Sequence, residues 1–246
     1  MTGLAVPGRA LAVGAHPDDV ELYAGATLAS WTASGCEVHI LVCTDGSKGS
    51  WDVDEDPSRL VATRRDEQHA AVERLGATGE VAFLDRVDGE LDTDRATAHE
   101  VAAWIRRIRP DVLLGHDPWR RWRLHPDHRA AGFLVTDGVV AARDPHFLTD
   151  SGLAHHRPDE LLLFDTEEPN HAEPVDEVAA AAKVAALLAH RSQHLSTMGI
   201  GTDDDGSQAG VFRAGILAEL AEVGQRFGVP LAEGYRRIEG LLAEPA

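Results

Sequence analysis

Cysteine is nearly missing from this chain of 246 residues: there are only two, Cys36 and Cys43. Both fall in one apolar run that reads as a strand, where about 3.3 Å per residue would hold them more than ~20 Å apart. They cannot bridge within that strand, and no Cys-x-x-Cys spacing is present, so two reduced core thiols are expected and redox or thiolate-metal chemistry is excluded. An excess of positive charge is missing as well. With 23 basic against 41 acidic residues the formal charge is -18, which repels nucleic-acid phosphates and anionic headgroups. No nucleic-acid or membrane partner is expected. Long apolar runs are absent too: Met1 to Val13 carries one arginine and a short apolar stretch broken by Pro7 and Gly8, without a signal-peptide pattern, so a cytoplasmic location is the default expectation. Nor does a Gly-x-Gly-x-x-Gly follow the first strand, which weakens a dinucleotide-binding reading.

An apolar fraction of 43% and a charged fraction of 26% suit a folded globular chain of this length, and one domain over 1–246 is expected. The first two thirds alternate β-rich runs with amphipathic stretches, the pattern of βα units feeding a mostly parallel, Rossmann-like α/β sheet. Strands are read at Ala10–Gly14, Glu37–Cys43, Glu80–Leu84, Asp111–Gly115 and Glu160–Phe164. Helices are read at Val20–Ser34, Arg59–Leu75, Asp94–Ile108 and Pro126–Ala142, with Ser58 as a cap and Gly35 and Gly76 as terminators. An Ala-rich helix is expected over Val175–His194 and another over Val211–Phe227, so that a helical part of about 195–246 follows a motif-bearing core of about 10–194. Three loops, Asp45–Pro57, Asp85–Thr93 and His116–Leu124, leave the carboxyl ends of strands, the edge where open α/β sheets bind ligands.

Two motifs carry chemistry at that edge. Ala15-His16-Pro17-Asp18-Asp19 crowds one imidazole and two carboxylates into the turn after the first strand, and His125-Pro126-Asp127-His128 brings two more imidazoles to the start of a later helix. Such a cluster is costly unless a cation neutralises it. A catalytic zinc site takes three ligands from His and Asp/Glu and keeps a position for water; two histidines and one carboxylate fit, leaving a carboxylate and a histidine for proton transfer. The competing explanation, acidic residues that merely cap the helices, accounts for neither the histidines nor the paired carboxylates. A second partition of the same residues, His16-x-Asp18 with His128, has the form of the facial triad of non-haem iron oxygenases, although that triad belongs on an all-β scaffold. A non-catalytic Rossmann-like binding module is the third alternative.

The two motifs, with Thr44-Asp45-Gly46, the helix from Arg64 to Glu67, Asp117-Pro118-Trp119 and His190-Arg191-Ser192-Gln193, resemble the PIG-L (LmbE-like) deacetylase family over about residues 10–194. The resemblance implies one Zn2+ per chain, with other divalent metals compatible, held by His16, Asp19 and His128. It implies Asp18 as general base and His125 as the electrophilic or acid group, oriented by Asp127. It further implies removal of an acyl group, acetyl above all, from an N-acetylglucosaminyl-type small molecule, with an amidase acting on a mycothiol-type conjugate or other small amide as the alternative. Arg64 is placed near substrate by the resemblance, where a solvated salt-bridged helix face is the ordinary reading. Asp45 and Lys48, in a polar turn, are candidates for substrate hydroxyls, and Gly46 for a backbone need. Trp119 lies in a Trp/Arg-rich loop that could stack on a sugar face or, equally, pack against a neighbouring subunit of a homo-oligomer.

Overall fold

The computed structural model describes residues 3–238, so the last part of the expected helical C-terminal segment lies outside the described residues. Five parallel strands form where the apolar runs predict them: β1 (Arg9–Gly14), β2 (Glu37–Thr44), β3 (Val81–Arg86), β4 (Val112–His116) and β5 (Glu160–Phe164). Two further strands, β6 (His171–Pro174) and β7 (Ala232–Arg237), extend the sheet in the order β3-β2-β1-β4-β5-β7-β6, with β7 antiparallel to both neighbours. Neither was expected from sequence. Their inward residues are polar: Glu233 accepts from Lys183 at 2.6 Å and from the Thr27 amide at 2.7 Å, and the buried Tyr235 hydroxyl donates to Thr27 Oγ1 at 2.8 Å. A strand that buries charge and hydroxyl groups lacks the apolar alternation by which strands are read.

Alternate residues of β1 supply opposite faces of the sheet. Ala10 and Ala12 join a core with the helices α1 (Asp19–Ala33), α2 (Pro57–Leu75), α5 (Glu177–Leu187) and α6 (Ser207–Phe227). Leu11 and Val13 join a second core with α3 (Arg95–Ile108) and α4 (Pro126–Arg143). The result is the expected Rossmann-like, doubly wound α/β fold, and both cysteines are buried and free. Two local readings differ from expectation. Asp56, not Ser58, caps α2, accepting from the Ser58 amide at 2.9 Å. The Ala-rich helix ends at Leu187, and a 3₁₀ turn over Arg191–Gln193 carries the chain on. There Ser192 bonds Glu67 of α2 through both its amide and its hydroxyl, at 2.8 and 2.6 Å.

Strand order reverses between β1 and β4, which are hydrogen-bonded neighbours whose crossover helices pack on opposite faces. Helices that diverge to either side leave a crevice outside the carboxyl ends of these two strands. The turn after β1 holds His16, Asp18 and Asp19, and β4 itself ends on His116.

Candidate metal centre

The turn from β1 into α1 is strained and held from outside. Asp18, the residue before α1, has φ 108°, a left-handed value that an L side chain rarely adopts and that costs on the order of 1–3 kcal/mol. Helix α2 fixes it: Gln68 Oε1 accepts from the Asp18 amide at 3.1 Å, while Arg64 Nη2 donates to the Pro17 carbonyl at 2.6 Å and to Asp18 Oδ2 at 3.3 Å. Arg64 is therefore a buried member of the site and not part of a solvated face. Its Nη1 donates to the Gly46 carbonyl at 3.0 Å, and a Cβ on Gly46 would lie 2.8 Å from the guanidinium, so only glycine lets that turn press onto Arg64.

Three donor groups converge in the crevice. His16 Nδ1 lies 3.2 Å from His128 Nε2 and 3.4 Å from Asp19 Oδ2, and His128 Nε2 lies 3.3 Å from Asp19 Oδ1. Ligands bound at about 2.0–2.1 Å around a tetrahedral ion stand roughly 3.3–3.4 Å apart, so the two imidazole nitrogens have nearly the spacing of two corners of such a site, while Asp19 meets each of them through a different oxygen; the donors within reach of one ion also group as His16, His125 and His128, and as Asp19, His116 and His128. Burial pushes the His128 imidazole down to about 3, with Asp19 opposing, and leaves it neutral. Burial also disfavours charge on Asp19, but the surrounding imidazoles of His128, His116 and His16 outweigh it and hold the carboxyl well below its usual range. For His128 and Asp19 this is the protonation state that metal binding requires, whereas His16 must give up a proton on binding.

A supporting layer turns these donors toward one another. His16 Nε2 is 3.2 Å from Asp127 Oδ2 and 3.2 Å from Asp88 Oδ1, which leaves Nδ1 facing the crevice. Burial alone would lower the His16 pKa; hydrogen bonds with Asp127, Asp19 and Asp88 reverse this and raise it well above the usual value. His116 Nε2 is 3.2 Å from Asp19 Oδ2, and its ring lies 4.4 Å from that of His128, centroid to centroid. Neither Asp88 nor His116 stood out in the sequence. His116 was assigned to a loop, and the available signal was that it is the last residue of a strand ending at the ligand edge.

One orientation is corrected. Asp127 was expected to hold His125; instead it is fully buried, accepts from the amides of Gly89 at 2.6 Å and Leu91 at 3.2 Å, and contacts His16. As the first acidic residue inside α4 it points under the helix, whereas His125 precedes the helix and stays exposed at the crevice mouth. The His125 ring lies 4.6 Å from that of His16 and 4.9 Å from that of His128, centroid to centroid. Its pKa is accordingly lowered, by burial first and then by the His16 charge, with Asp127 only partly opposing. Asp18 moves the other way: burial pushes its carboxyl up to about 6 against the pull of Arg64.

The crevice opens into a cavity of about 420 Å³ bounded by His16, Asp18, His125, Arg64, Lys48 and Trp51. Of the remaining substrate candidates, Asp45 and Trp119 do not reach it. Asp45 Oδ1 accepts from the amides of Ser47 and Asp88 at 2.9 and 3.1 Å and so builds the turn. Trp119 packs against Phe133 and lines a separate surface cavity with Arg120 and Arg121. Trp51, 80% exposed on the rim, was not singled out from sequence.

The switch point of this doubly wound α/β sheet gathers His and Asp groups that could hold a metal ion beside a buried carboxyl, the groups that hydrolysis of an amide uses. The chain belongs to the PIG-L family: residues 11–139 match the family described as GlcNAc-PI de-N-acetylase. It is 34% identical to the diacetylchitobiose deacetylase of Thermococcus kodakarensis over 188 residues, 75% of this chain and 70% of that one. Against the 1D-myo-inositol 2-acetamido-2-deoxy-alpha-D-glucopyranoside deacetylase of Geodermatophilus obscurus it is also 34% identical, over 58% of this chain and 57% of that protein's length. The solved N,N'-diacetylchitobiose deacetylase of Pyrococcus horikoshii superposes with a TM-score of 0.83 at 28% identity, covering 96% of this chain and 85% of that one. Among the described residues no helix is long and apolar enough to cross a membrane.

Proposed function

We propose that the protein is a zinc-dependent deacetylase that hydrolyses the amide of an N-acetylglucosaminyl-type small molecule. The observation that carries this reading is the approach of His16 Nδ1 to His128 Nε2 at 3.2 Å with an Asp19 oxygen facing each of them at 3.3–3.4 Å, and the Asp18 carboxyl alongside. His16, Asp19 and His128 would hold the ion, which when bound supplies Lewis acidity and lowers the pKa of a water to about 7. Other divalent ions fit the same donors.

The chain's own groups carry the proton traffic. Asp18, ionised above about 6, accepts a proton from the attacking water, and the same near-neutral pKa suits it to return that proton to the departing nitrogen. Arg64 keeps Asp18 ionised and aims it by the bond at 3.3 Å. The lowered pKa of His125 favours a neutral imidazole, which serves the carbonyl oxygen as an electrophilic N–H donor in place of the protonated acid expected from sequence. Asp127 acts through His16. Lys48 and Arg64, both on the cavity wall, are placed to meet substrate hydroxyls.

The names of the relatives support the acetylated amino sugar as substrate, and the α/β fold disfavours the oxygenase alternative. So does the placement of the carboxylates: Asp19, not Asp18, faces His16 and His128. The test is acetate release from N-acetylglucosamine and N,N'-diacetylchitobiose by purified protein, before and after chelation and zinc return. Zinc-dependent acetate release supports the reading. Oxoglutarate-dependent turnover with iron would favour the oxygenase, and a folded protein that binds no metal would favour a binding module.

A further inference from the structure

Neither Glu21 nor the segment 190–193 takes part in the proton transfers above, yet both are tied to the turn that carries Asp18. His190 and Glu21 are fully buried. His190 Nε2 faces Glu21 Oε2 at 3.7 Å, too far for a hydrogen bond, and neither imidazole nitrogen nor Glu21 Oε2 has a hydrogen-bond partner among the described residues. Burial lowers the His190 pKa, but Glu21 first and Asp18 next outweigh it and raise the imidazole above its usual value. A buried pair of this kind contributes little to stability over an apolar pair of the same volume, because desolvation offsets most of the attraction. Its place one helical turn from the proposed base points to a different role.

Glu21 reaches Asp18 through a single residue. Its Oε1 accepts from Gln68 Nε2 at 2.6 Å, and Gln68 Oε1 accepts from the Asp18 amide at 3.1 Å. A carboxylate only accepts, so Glu21 decides which way round the Gln68 amide lies; reversed, that amide would set its NH₂ group against the Asp18 N–H. The bond falls at the strained φ of 108°, where the backbone depends on outside contacts to stay in place. Arg64, one turn before Gln68 on the same face of α2, holds the Pro17 carbonyl and Asp18 Oδ2, and Glu67 beside it holds the amide and hydroxyl of Ser192. The segment 190–193 is thus fastened to α2 by Ser192 and set against the first turn of α1 by His190.

We infer that His190, Glu21 and Gln68 are positioning residues for Asp18: the buried imidazole holds the Glu21 carboxyl, Glu21 orients the Gln68 amide, and Gln68 fixes the backbone from which the base acts. The inference rests on the deacetylase reading, in which Asp18 is the base. It adds that the chain beyond residues 11–139 of the family match reaches that base through His190.

The experiment measures kcat and KM for N,N'-diacetylchitobiose at saturating zinc, with melting temperatures, for Gln68→Met, His190→Leu, Glu21→Gln and the double variant of the last two. Misplacing a reacting group by about 1 Å costs on the order of 10²-fold, so Gln68→Met and His190→Leu should each lower kcat about 10- to 100-fold, with KM and bound zinc within about twofold of wild type. Glu21→Gln keeps an acceptor oxygen and should lose less. Removing the Glu21 charge makes the imidazole dispensable, so the double variant should turn over faster than His190→Leu alone, a non-additivity that independent effects do not produce. Tyr235→Phe, which removes a buried hydroxyl bond to Thr27 on the same helix α1, should lower the melting temperature and leave kcat as in wild type. Wild-type kcat in folded Gln68→Met, additive losses in the double variant, or a loss in Tyr235→Phe as large as that in His190→Leu overturns the inference. Should His190→Leu fail to fold, His190→Gln replaces it in the cycle. If wild type releases no acetate from this sugar or from N-acetylglucosamine, the deacetylase reading itself is refuted. Hydrogen exchange over residues 16–22 then decides: faster exchange in Gln68→Met and His190→Leu, with α3 unchanged, upholds the positioning line, and exchange like wild type removes it.

Discussion

Replacing Arg64 by glutamine isolates the electrostatic part of the proposed mechanism. The Arg64 guanidinium is 3.3 Å from Asp18 Oδ2, and both groups are buried, so solvent screens the pair little. Burial raises the Asp18 pKa to about 6 even with the arginine in place. An opposite charge at such range lowers a carboxyl pKa by about 1–3, so its removal should raise that of Asp18 by a similar amount. The base must be ionised to work, hence activity rises as pH climbs through this pKa, and a higher pKa moves the acid limb of kcat/KM to higher pH. The charge of a bound metal lowers the Asp18 pKa in wild type and variant alike, so the displacement between their acid limbs, about 1–3 pH units, is the quantity expected; below both limbs it corresponds to a loss of about 10- to 1,000-fold, and above both the rates converge. The assay is the pH profile of acetate release for wild type, Arg64→Gln and Arg64→Lys, with melting temperatures measured alongside. Loss of the bonds to Gly46 and Pro17 should lower the melting temperature of Arg64→Gln, but it does not by itself move a limb. An acid limb within about 0.3 pH units of wild type in folded Arg64→Gln would refute the coupling, as would an equal loss of rate at every pH.

Chelation should abolish turnover and lower the melting temperature, with both restored by zinc, because binding to the native state alone stabilises it. His128→Ala should bind zinc far more weakly than wild type in a competition titration, and retention of stoichiometric zinc by that variant would count against its role as ligand. Asp18→Asn should keep the metal and lose on the order of 10²- to 10⁴-fold in kcat, so turnover at the wild-type rate would exclude Asp18 as base. Asp127→Asn should weaken zinc binding by about 10- to 100-fold through loss of the carboxylate that orients His16. A metal affinity like that of wild type, joined to a shifted basic limb, would instead return Asp127 to His125.

The sequence by itself determined the order and type of the first nine elements, because parallel strands buried on both faces read as apolar runs and their crossover helices carry their own caps and breaks. It also placed both histidine motifs at the ligand edge, since each follows a strand directly or through a marked loop, and that is a local property. Long-range placement was beyond it. Asp88 and His116 reach the metal donors only because β4 lies next to β1 and because Asp127 ties the loop after β3 to the start of α4. The partner of Asp127 depended on the direction a side chain takes beneath a helix, and two positions of separation from His125 could not reveal it. Strand β7 pairs with β5 and β6 across intervals of more than fifty residues and buries Glu233 and Tyr235 in hydrogen bonds to α1 and α5. Pairing of that kind is fixed by which polar groups find partners once the helices are in place, and no periodicity along the chain records it.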